Sequence, residues 1–426
     1  PLHLFQAFGV ELEYMIVDAA TLDVRPISDK LLRAVRPSGC EDEYPDEVER
    51  EGGISWSNEL TLHVVELKTT EPTAGFRDVP ERMQASVREI DELLRPMGAR
   101  LMPGAMHPWM NPDREMKLWP HSNGEYYAAF DRIFDCRGHG WANLQSVHLN
   151  LPFCGDDEFA RLHAAIRLVL PILPALCASS PIVDGRITGV LDNRLEVYQH
   201  NARKVPSVSG QTIPEPAYTR KEYERVILQR IYKDLEPDDP DGLLRHEWAN
   251  ARGAIARFDR GAIEIRVMDV QECPAADAAI CAAVAGVVKA LAGERWTELY
   301  LQQAWGVEPL HRIFMDCVRH GDEAIVRDPA YLHAMGMFAK ECTAADLWRH
   351  LVATTRPVSD EDAEARRPVE HILEHGTLAR RILRAIAGGA ETGRDGAPFV
   401  PQHSRVFEVY RELCDCLLEG RMFRGA

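Results

Sequence analysis

The chain has 426 residues and a formal charge of -17 at pH 7, from 49 Lys+Arg against 66 Asp+Glu. That acid excess excludes unspecific binding to nucleic acid or to anionic membrane surfaces, but it leaves room for a local basic pocket. With 46% hydrophobic and 27% charged residues, an ordinary globular protein is expected, built on one large core with appended helices or on two domains.

The first strong element is Gly9-Val10-Glu11-Leu12-Glu13-Tyr14-Met15-Ile16-Val17-Asp18. Its period of two predicts a strand, with Val10, Leu12, Tyr14 and Ile16 on one face and Glu11, Glu13, Met15 and Val17 on the other. The two carboxylates then stand roughly 7 Å apart and repel each other unless water, cations or protons compensate them. Alone, this segment reads as an edge strand with a solvated face. A short helix follows at Ile27–Val35, and the acidic stretch from Glu41 to Glu51 reads as a solvated loop. Ile54 to Lys68 reads as extended throughout. A helix is predicted over Pro80–Leu94, from the stripe Met83, Val87, Ile90, Leu93 and Leu94. A short strand at Leu101–Met106 comes next.

Residues 107–141 are rich in Pro, Gly, His, Asn and Trp. They form a long loop with one helix at Glu125–Phe134, the kind of loop that tends to be functional. Ser146–Leu151 is predicted as a strand, and Asp156–Ala178 as a helix interrupted at Pro171 and Pro174. Another irregular loop spans Arg203–Thr219, and Tyr223–Leu235 is helical. Ala254–Met268 reads as a strand pair turning at Asp259-Arg260-Gly261. Beyond Ala275 only helices are expected: Ala275–Leu291, Leu310–Val318, Ala344–Ala353, Val369–Ala387 and Ser404–Leu418. Strands first and helices last predict an α+β fold, with a catalytic sheet region at 1–274 and a C-terminal helical region at 275–426 packed on it.

No apolar run of membrane-spanning length stands out, nor a basic segment followed by an apolar signal core. The ten cysteines have no metal-site spacing, and Cys414 and Cys416 are too close for a CxxC pair. Free thiols in a cytoplasmic enzyme are expected.

Two later strands repeat the arrangement of the first. In Ser146-Val147-His148-Leu149-Asn150-Leu151, the residues Ser146, His148 and Asn150 share the face opposite the apolar one. In Gly261-Ala262-Ile263-Glu264-Ile265-Arg266-Val267, that face carries Glu264 and Arg266. Carboxylates with one imidazole suit hard, oxygen-loving ions such as Mg²⁺ or Mn²⁺. An adjacent arginine matches phosphate or carboxylate geometry. In the segment 58–68, Glu66 is the stronger ligand candidate. Glu59, seven residues earlier, faces the other way on an unbroken strand and joins the same site only if a bulge or bend intervenes.

Gly9-Val10-Glu11-Leu12-Glu13, Val147-His148-Leu149-Asn150 and Gly261 to Val267 resemble, in order, motifs of the glutamate–cysteine ligase family, in particular its second group, which includes carboxylate–amine ligases. Ala175-Leu176-Cys177-Ala178-Ser179-Ser180-Pro181, followed by Gly185-Arg186 and Asn193-Arg194, is similar to a further signature. The resemblance covers about residues 8 to 275. It implies a glutamine-synthetase-like fold in which a curved antiparallel sheet, flanked by helices, forms a funnel lined with carboxylates. It also implies an ATP-dependent ligase that joins a carboxylate, typically the γ-carboxyl of glutamate, to an amine, typically that of cysteine, as in glutathione biosynthesis. Carried over residue by residue, Glu11, Glu13, Glu59, Glu66, His148 and Glu264 fall on metal-ligand positions, for Mg²⁺ or Mn²⁺. Arg194, Arg257 and Arg266 fall on positions that handle phosphate or substrate carboxylate, and Arg194, Arg266 and Glu264 are the catalytic candidates.

The implied partners are amino acids and ATP, with no nucleic acid and no membrane; a homo-oligomer is left open. Three departures leave the amino-acid substrate open: Asn150 where many members have a second His, Leu151-Pro152-Phe153 in place of a small-residue continuation, and Lys68-Thr69 after Glu66. Other signatures fail. His246-Glu247-Trp248-Ala249-Asn250 is not HExxH, and the chain holds no GxxxxGK loop and no GxSxG elbow. Two alternatives stand beside the ligase: a metal-dependent amide hydrolase, and a non-catalytic Mg-ATP-binding protein of ligase descent.

Overall fold

The structure is a computed structural model and describes residues 1–40, 42–355, 366–387 and 399–425. Ten strands precede the C-terminal helices: β1 Gly9–Asp18, β2 Glu47–Arg50, β3 Ile54–Asn58, β4 Val64–Thr69, β5 Ala99–Met102, β6 Ser146–Pro152, β7 Ile182–Val183, β8 Arg186–Ile187, β9 Ala254–Arg257 and β10 Ala262–Asp269. Eight of them form one antiparallel sheet in the order β2-β3-β4-β1-β6-β10-β9, with β5 also paired to β1. β7 and β8 make a separate hairpin.

The alternation of β1 has a direct packing consequence. Val10, Leu12, Tyr14 and Ile16 are buried in a single large apolar cluster beneath the sheet, together with Val147, Leu149 and Leu151 from β6 and Ile263, Ile265 and Val267 from β10. The helix Pro274–Ala292 is the centre of that layer and packs between the helices Val79–Leu94 and Gly155–Val169. On the opposite face β1 is divided. Glu11 and Glu13 line a cavity, while Met15 and Val17 are buried in a second cluster under the helices Leu378–Ala387 and His403–Glu419.

Several expectations change. β1 is a central strand, not an edge strand, because β4 pairs one side of it and β5 and β6 share the other. Residues 47–50 of the acidic stretch are a strand, β2, paired with β3; Glu41 lies outside the described residues. The stretch 54–68 is the hairpin β3–β4, broken at residues 59–63. There the backbone leaves the sheet to bond with Lys117, Trp119 and Ser28.

Pro274–Ala292 is long and apolar enough to cross a bilayer, which the sequence reading did not register, but most of it is buried within the fold. Among the C-terminal helices, Ile325–Val326 pairs with Cys342–Thr343 as a small ladder. The predicted helix over 369–387 is two, Arg367–His375 and Leu378–Ala387, separated at Gly376, whose φ is +85°. All ten cysteines are free.

Candidate active site

One cavity of about 760 Å³ opens on the polar face of the sheet. Glu11 and Glu13 from β1, Glu66 from β4, His148 from β6 and Glu264 and Arg266 from β10 all line it, as do Glu59, Arg194 and Arg257. Register explains the assembly. Glu11 lies opposite His148 on one side and Lys68 on the other, Glu13 lies opposite Glu66, and Glu264 lies opposite Asn150. Directly opposed residues on neighbouring strands are close enough to interact. The break after β3 is the bend that brings Glu59 to the same cavity as Glu66, despite their opposite parity along an unbroken strand.

The acidic end holds two clusters whose ligand atoms lie within 4.8 Å of one another: Glu11, Glu66 and His148, and Glu13, Glu59 and Glu66. His148 Nδ1 is 2.9 Å from Glu11 Oε2, and Asn150 Nδ2 donates to Glu11 Oε1 at 2.9 Å. Burial would raise the Glu11 pKa, but the hydrogen bond and charge of His148 outweigh it and hold the carboxyl well below the usual range. Burial likewise disfavours a charged His148. Its bond to Glu11 and the neighbouring charges of Glu13 and Glu264 prevail and lift it to about 9. Glu66 accepts from Ser57 Oγ at 2.6 Å, yet burial, followed by the Glu11 charge, pushes it up to about 7. Burial, then the charges of Glu13 and Glu66, pushes Glu59 well above the carboxylate range. Among the described residues no hydrogen bond or ion pair engages the Glu59 carboxylate.

This donor set fits a hard divalent cation. Four carboxylates and one imidazole converge, and two of the carboxylates, Glu59 and Glu66, hold raised pKa values because burial and the neighbouring carboxylates outweigh the positive charge nearby.

The opposite end is basic. Arg266 places Nε and Nη2 at 3.0 and 2.5 Å from Glu264 Oε1, and Arg257 Nη1 is 3.8 Å from Glu264 Oε2. Glu264 stands 3.8 Å from His148 Nδ1 but belongs to neither acidic cluster; its oxygens face the two arginines. Arg194 is buried, its Nε 2.5 Å from Asp269 Oδ1, while its Nη2 is buried with no partner among the described residues. It lies in the first turn of the helix Asn193–Tyr198, capped by Asp192.

Sequence reasoning passed over several residues. Asp269 is one. A bulge between Ile265 and Met268 inserts an extra residue into β10, so that Asp269 pairs with Ser146 and reaches the site face, against its parity. It is fully buried and accepts from Arg194, from the backbone N–H of Ser179 and from Ser180 Oγ. No signal in the sequence marks the bulge. Arg260, at the predicted turn, lines the cavity too. An aromatic wall was also missed: Tyr126, Phe130, Trp141 and Trp248 line the cavity, with Trp248 edge-on to Tyr126 at 5.6 Å between ring centres. The aromatic content of the 107–141 loop was its only signal.

The fold and the chain have clear relatives. A protein of Archaeoglobus fulgidus with no assigned function is 36% identical over 282 residues, covering 66% of this chain and 74% of that one. A Bradyrhizobium sp. (strain ORS 278) protein, provisionally named glutamate–cysteine ligase 2, is 28% identical over 304 residues. That match covers 70% of this chain but only 64% of the relative. Among solved structures, the glutamate–cysteine ligase of Francisella tularensis in complex with AMP superimposes with a TM-score of 0.56 at 12% identity, covering 98% of this chain and 89% of that one. A bifunctional glutathione synthetase from Pasteurella multocida gives 0.51 at 13% identity, covering 98% of this chain and 53% of that one. These two share the fold, the large antiparallel sheet flanked by helices. The family model for glutamate–cysteine ligase family 2 matches residues 7–397, and the chain belongs to that family.

Proposed function

We propose that the chain is an ATP-dependent carboxylate–amine ligase, joining the γ-carboxylate of glutamate, or a similar carboxylate, to the amine of cysteine or another amino acid. The observation that carries this reading is the meeting of opposite charges in one cavity: Glu11, Glu13, Glu59, Glu66 and His148 form the acidic clusters, and Arg194, Arg257, Arg260 and Arg266 line the same cavity. A metal–nucleotide complex carries both kinds of charge and matches both ends. Family membership supports the same reaction class.

Glu11, Glu13, Glu59, Glu66 and His148 would hold Mg²⁺ or Mn²⁺. When bound, the cations supply neutralisation of the phosphate charges. The arginines do the rest of the electrostatic work. Arg266 is already oriented by Glu264, Arg257 by Asp259 and Arg194 by Asp269, so their remaining N–H groups are fixed before an anion arrives. In this reading the substrate carboxylate attacks the γ-phosphorus of ATP, ADP leaves, and an acyl phosphate forms. The amine then attacks the acyl carbon, the C–O bond to phosphate breaks, and the nitrogen gives up a proton. Charge grows on the transferring oxygens in the first step, and Arg194 Nη2 is a buried donor with no partner among the described residues.

The test is a phosphate-release screen of the purified chain with ATP, Mg²⁺, glutamate and each amino acid in turn, with the peptide product identified by mass. Phosphate release that depends on an amine supports the ligase. Amide cleavage without ATP would replace it with the hydrolase reading, and ATP binding with no turnover for any pair would leave a binding protein.

A further inference from the structure

One wall of the cavity lies off the sheet and is aromatic. The helix Gly124–Phe134 presents Tyr126 and Phe130 one turn apart, and Trp141 and Trp248 continue the wall. Phe130 joins them, its ring centre 5.4 Å from that of Trp141 and 5.8 Å from that of Trp248. None of the four rings is fully buried, and neither the carboxylates nor the arginines give them a role.

A single helix face connects this wall to the arginines. Arg194 and Tyr198 stand one turn apart on the helix Asn193–Tyr198, and Asn201 follows in the next turn, where its N–H donates to Tyr198 O at 3.1 Å. All three line the cavity. Each ends in a polar atom buried without a hydrogen-bond partner among the described residues: Arg194 Nη2, Tyr198 Oη and Asn201 Oδ1. Tyr198 is only 8% exposed and lies beside the Arg266 guanidinium without a well-formed bond to it. Asn201 is pinned from behind. Its Nδ2 donates to Gly140 O at 3.3 Å and its backbone carbonyl accepts from Trp141 Nε1 at 2.9 Å, so Oδ1 is the atom left over. Gly140 allows this approach, since a Cβ there would stand 3.0 Å from Asn201 Cβ.

We propose that Tyr198 Oη and Asn201 Oδ1 hold the nitrogen of the acceptor and that the aromatic wall takes its substituent, so that the acceptor is an amine bearing an aromatic or large apolar group rather than cysteine. This rests on the ligase reading above and names the substrate class for it. The chemistry of the two oxygens points the same way. An amine attacks an acyl carbon only as the neutral base, and the guanidiniums of Arg194 and Arg266 disfavour an ammonium ion beside them. Uncharged oxygens accept the N–H bonds and leave the nitrogen lone pair for attack, where a carboxylate would keep the nitrogen protonated. The C–N bond then forms as the acyl C–O bond breaks, its electron pair leaves with phosphate, and the proton lost from nitrogen passes to that phosphate. A substituent as small as the cysteine side chain would leave the rings against water, and an aromatic one covers them.

Initial rates of phosphate release from the full chain, with ATP, Mg²⁺ and glutamate fixed, test this on matched acceptors: phenylalanine against cysteine, and phenethylamine against ethylamine. The two pairs separate an amino-acid acceptor from a simple amine, and either source fits. The aromatic member of at least one pair is expected to have a kcat/KM at least about tenfold the higher. Phe130→Leu and Trp248→Ala should cut that preference to about twofold or less and leave the KM for ATP within about twofold. Tyr198→Phe, which keeps the ring and loses the hydroxyl, should raise the acceptor KM by roughly tenfold and not that for ATP. A preference for cysteine and ethylamine in the unaltered chain would overturn the inference even if every variant failed to fold, and would leave the ligase reading standing. Variants that raise the KM for ATP and keep the aromatic preference would overturn it too, by making the wall a nucleobase site. Absence of phosphate release with any amine would overturn the ligase reading and this inference together, which separates the two failures.

Discussion

At the basic end of the cavity three of the four arginines already have carboxylates: Arg194 on Asp269, Arg266 on Glu264, and Arg257 on Asp259 at 3.2 Å with Glu264 beyond it. At the acidic end the Glu59 carboxylate has no partner among the described residues, and Glu66 has its pKa pushed up to about 7 by burial and by Glu11. The basic end is therefore preorganised by the protein's own charges, and the acidic end is compensated only in part, by His148 and Lys68. Like charges gathered in a buried place persist only if something compensates them. At one end that compensation is covalently part of the chain, and at the other the part that His148 and Lys68 leave uncompensated calls for a proton or a metal ion.

The contrast can be broken from either side, and the largest effect should come from the acidic end. Treating the protein with EDTA should abolish amine-dependent phosphate release, and added Mg²⁺ or Mn²⁺ should restore it. Turnover that survives chelation would mean that the acidic end needs no external charge. At the basic end, Arg266→Ala should lower kcat by roughly 10³-fold, the scale of losing an arginine from a phosphoryl-transfer site. Circular dichroism should show the fold retained.

Stability separates the arginines from one another. Asp269→Asn leaves Arg194 buried without its counter-charge and should cost about 3–5 kcal/mol in urea unfolding. Asp259→Asn, at a side chain 56% exposed, should cost no more than about 0.5 kcal/mol. Equal losses would mean that the Arg194 pair is not the preorganised element described here.

The smallest effect is in pH. His148 is raised from 6.5 to about 9 and Glu66 from 4.5 to about 7. A raised folded-state pKa gives stability that is complete below the unfolded value and is lost as pH rises through the folded one. The metal-free protein should accordingly lose a few degrees of Tm, on the order of 2–4 °C, between pH 6.5 and 9, and Mg²⁺ should return it. Below pH 7 the metal must displace the Glu66 proton, so affinity should fall by up to about tenfold per pH unit. Calorimetry at pH 6, 7 and 8 measures it.

Much of this site could be read along the chain because strands alternate. Glu11, Glu13, His148, Glu264 and Arg266 each sit between apolar residues whose burial leaves them only the other face. That pairing of positions is a property of the backbone period, and the cavity walls follow it. The errors lie where the period is interrupted. The bend at 59–63 carries Glu59 to the cavity, and the bulge after Ile265 turns Asp269 toward Arg194. Both interruptions are set by partners distant in sequence: Lys117 and Trp119 for the first, β6 for the second.

The sequence by itself determined which side chains each strand offers to its polar face, and it carried the family motifs in order. It could not determine that β1 lies in the middle of the sheet, with Lys68 and His148 on either side of Glu11. Strand order and register arise from which apolar faces find each other over hundreds of residues, and no local periodicity encodes that choice. Only the tertiary structure decided which charges became neighbours, and so which end of the cavity is neutral within the chain and which is not.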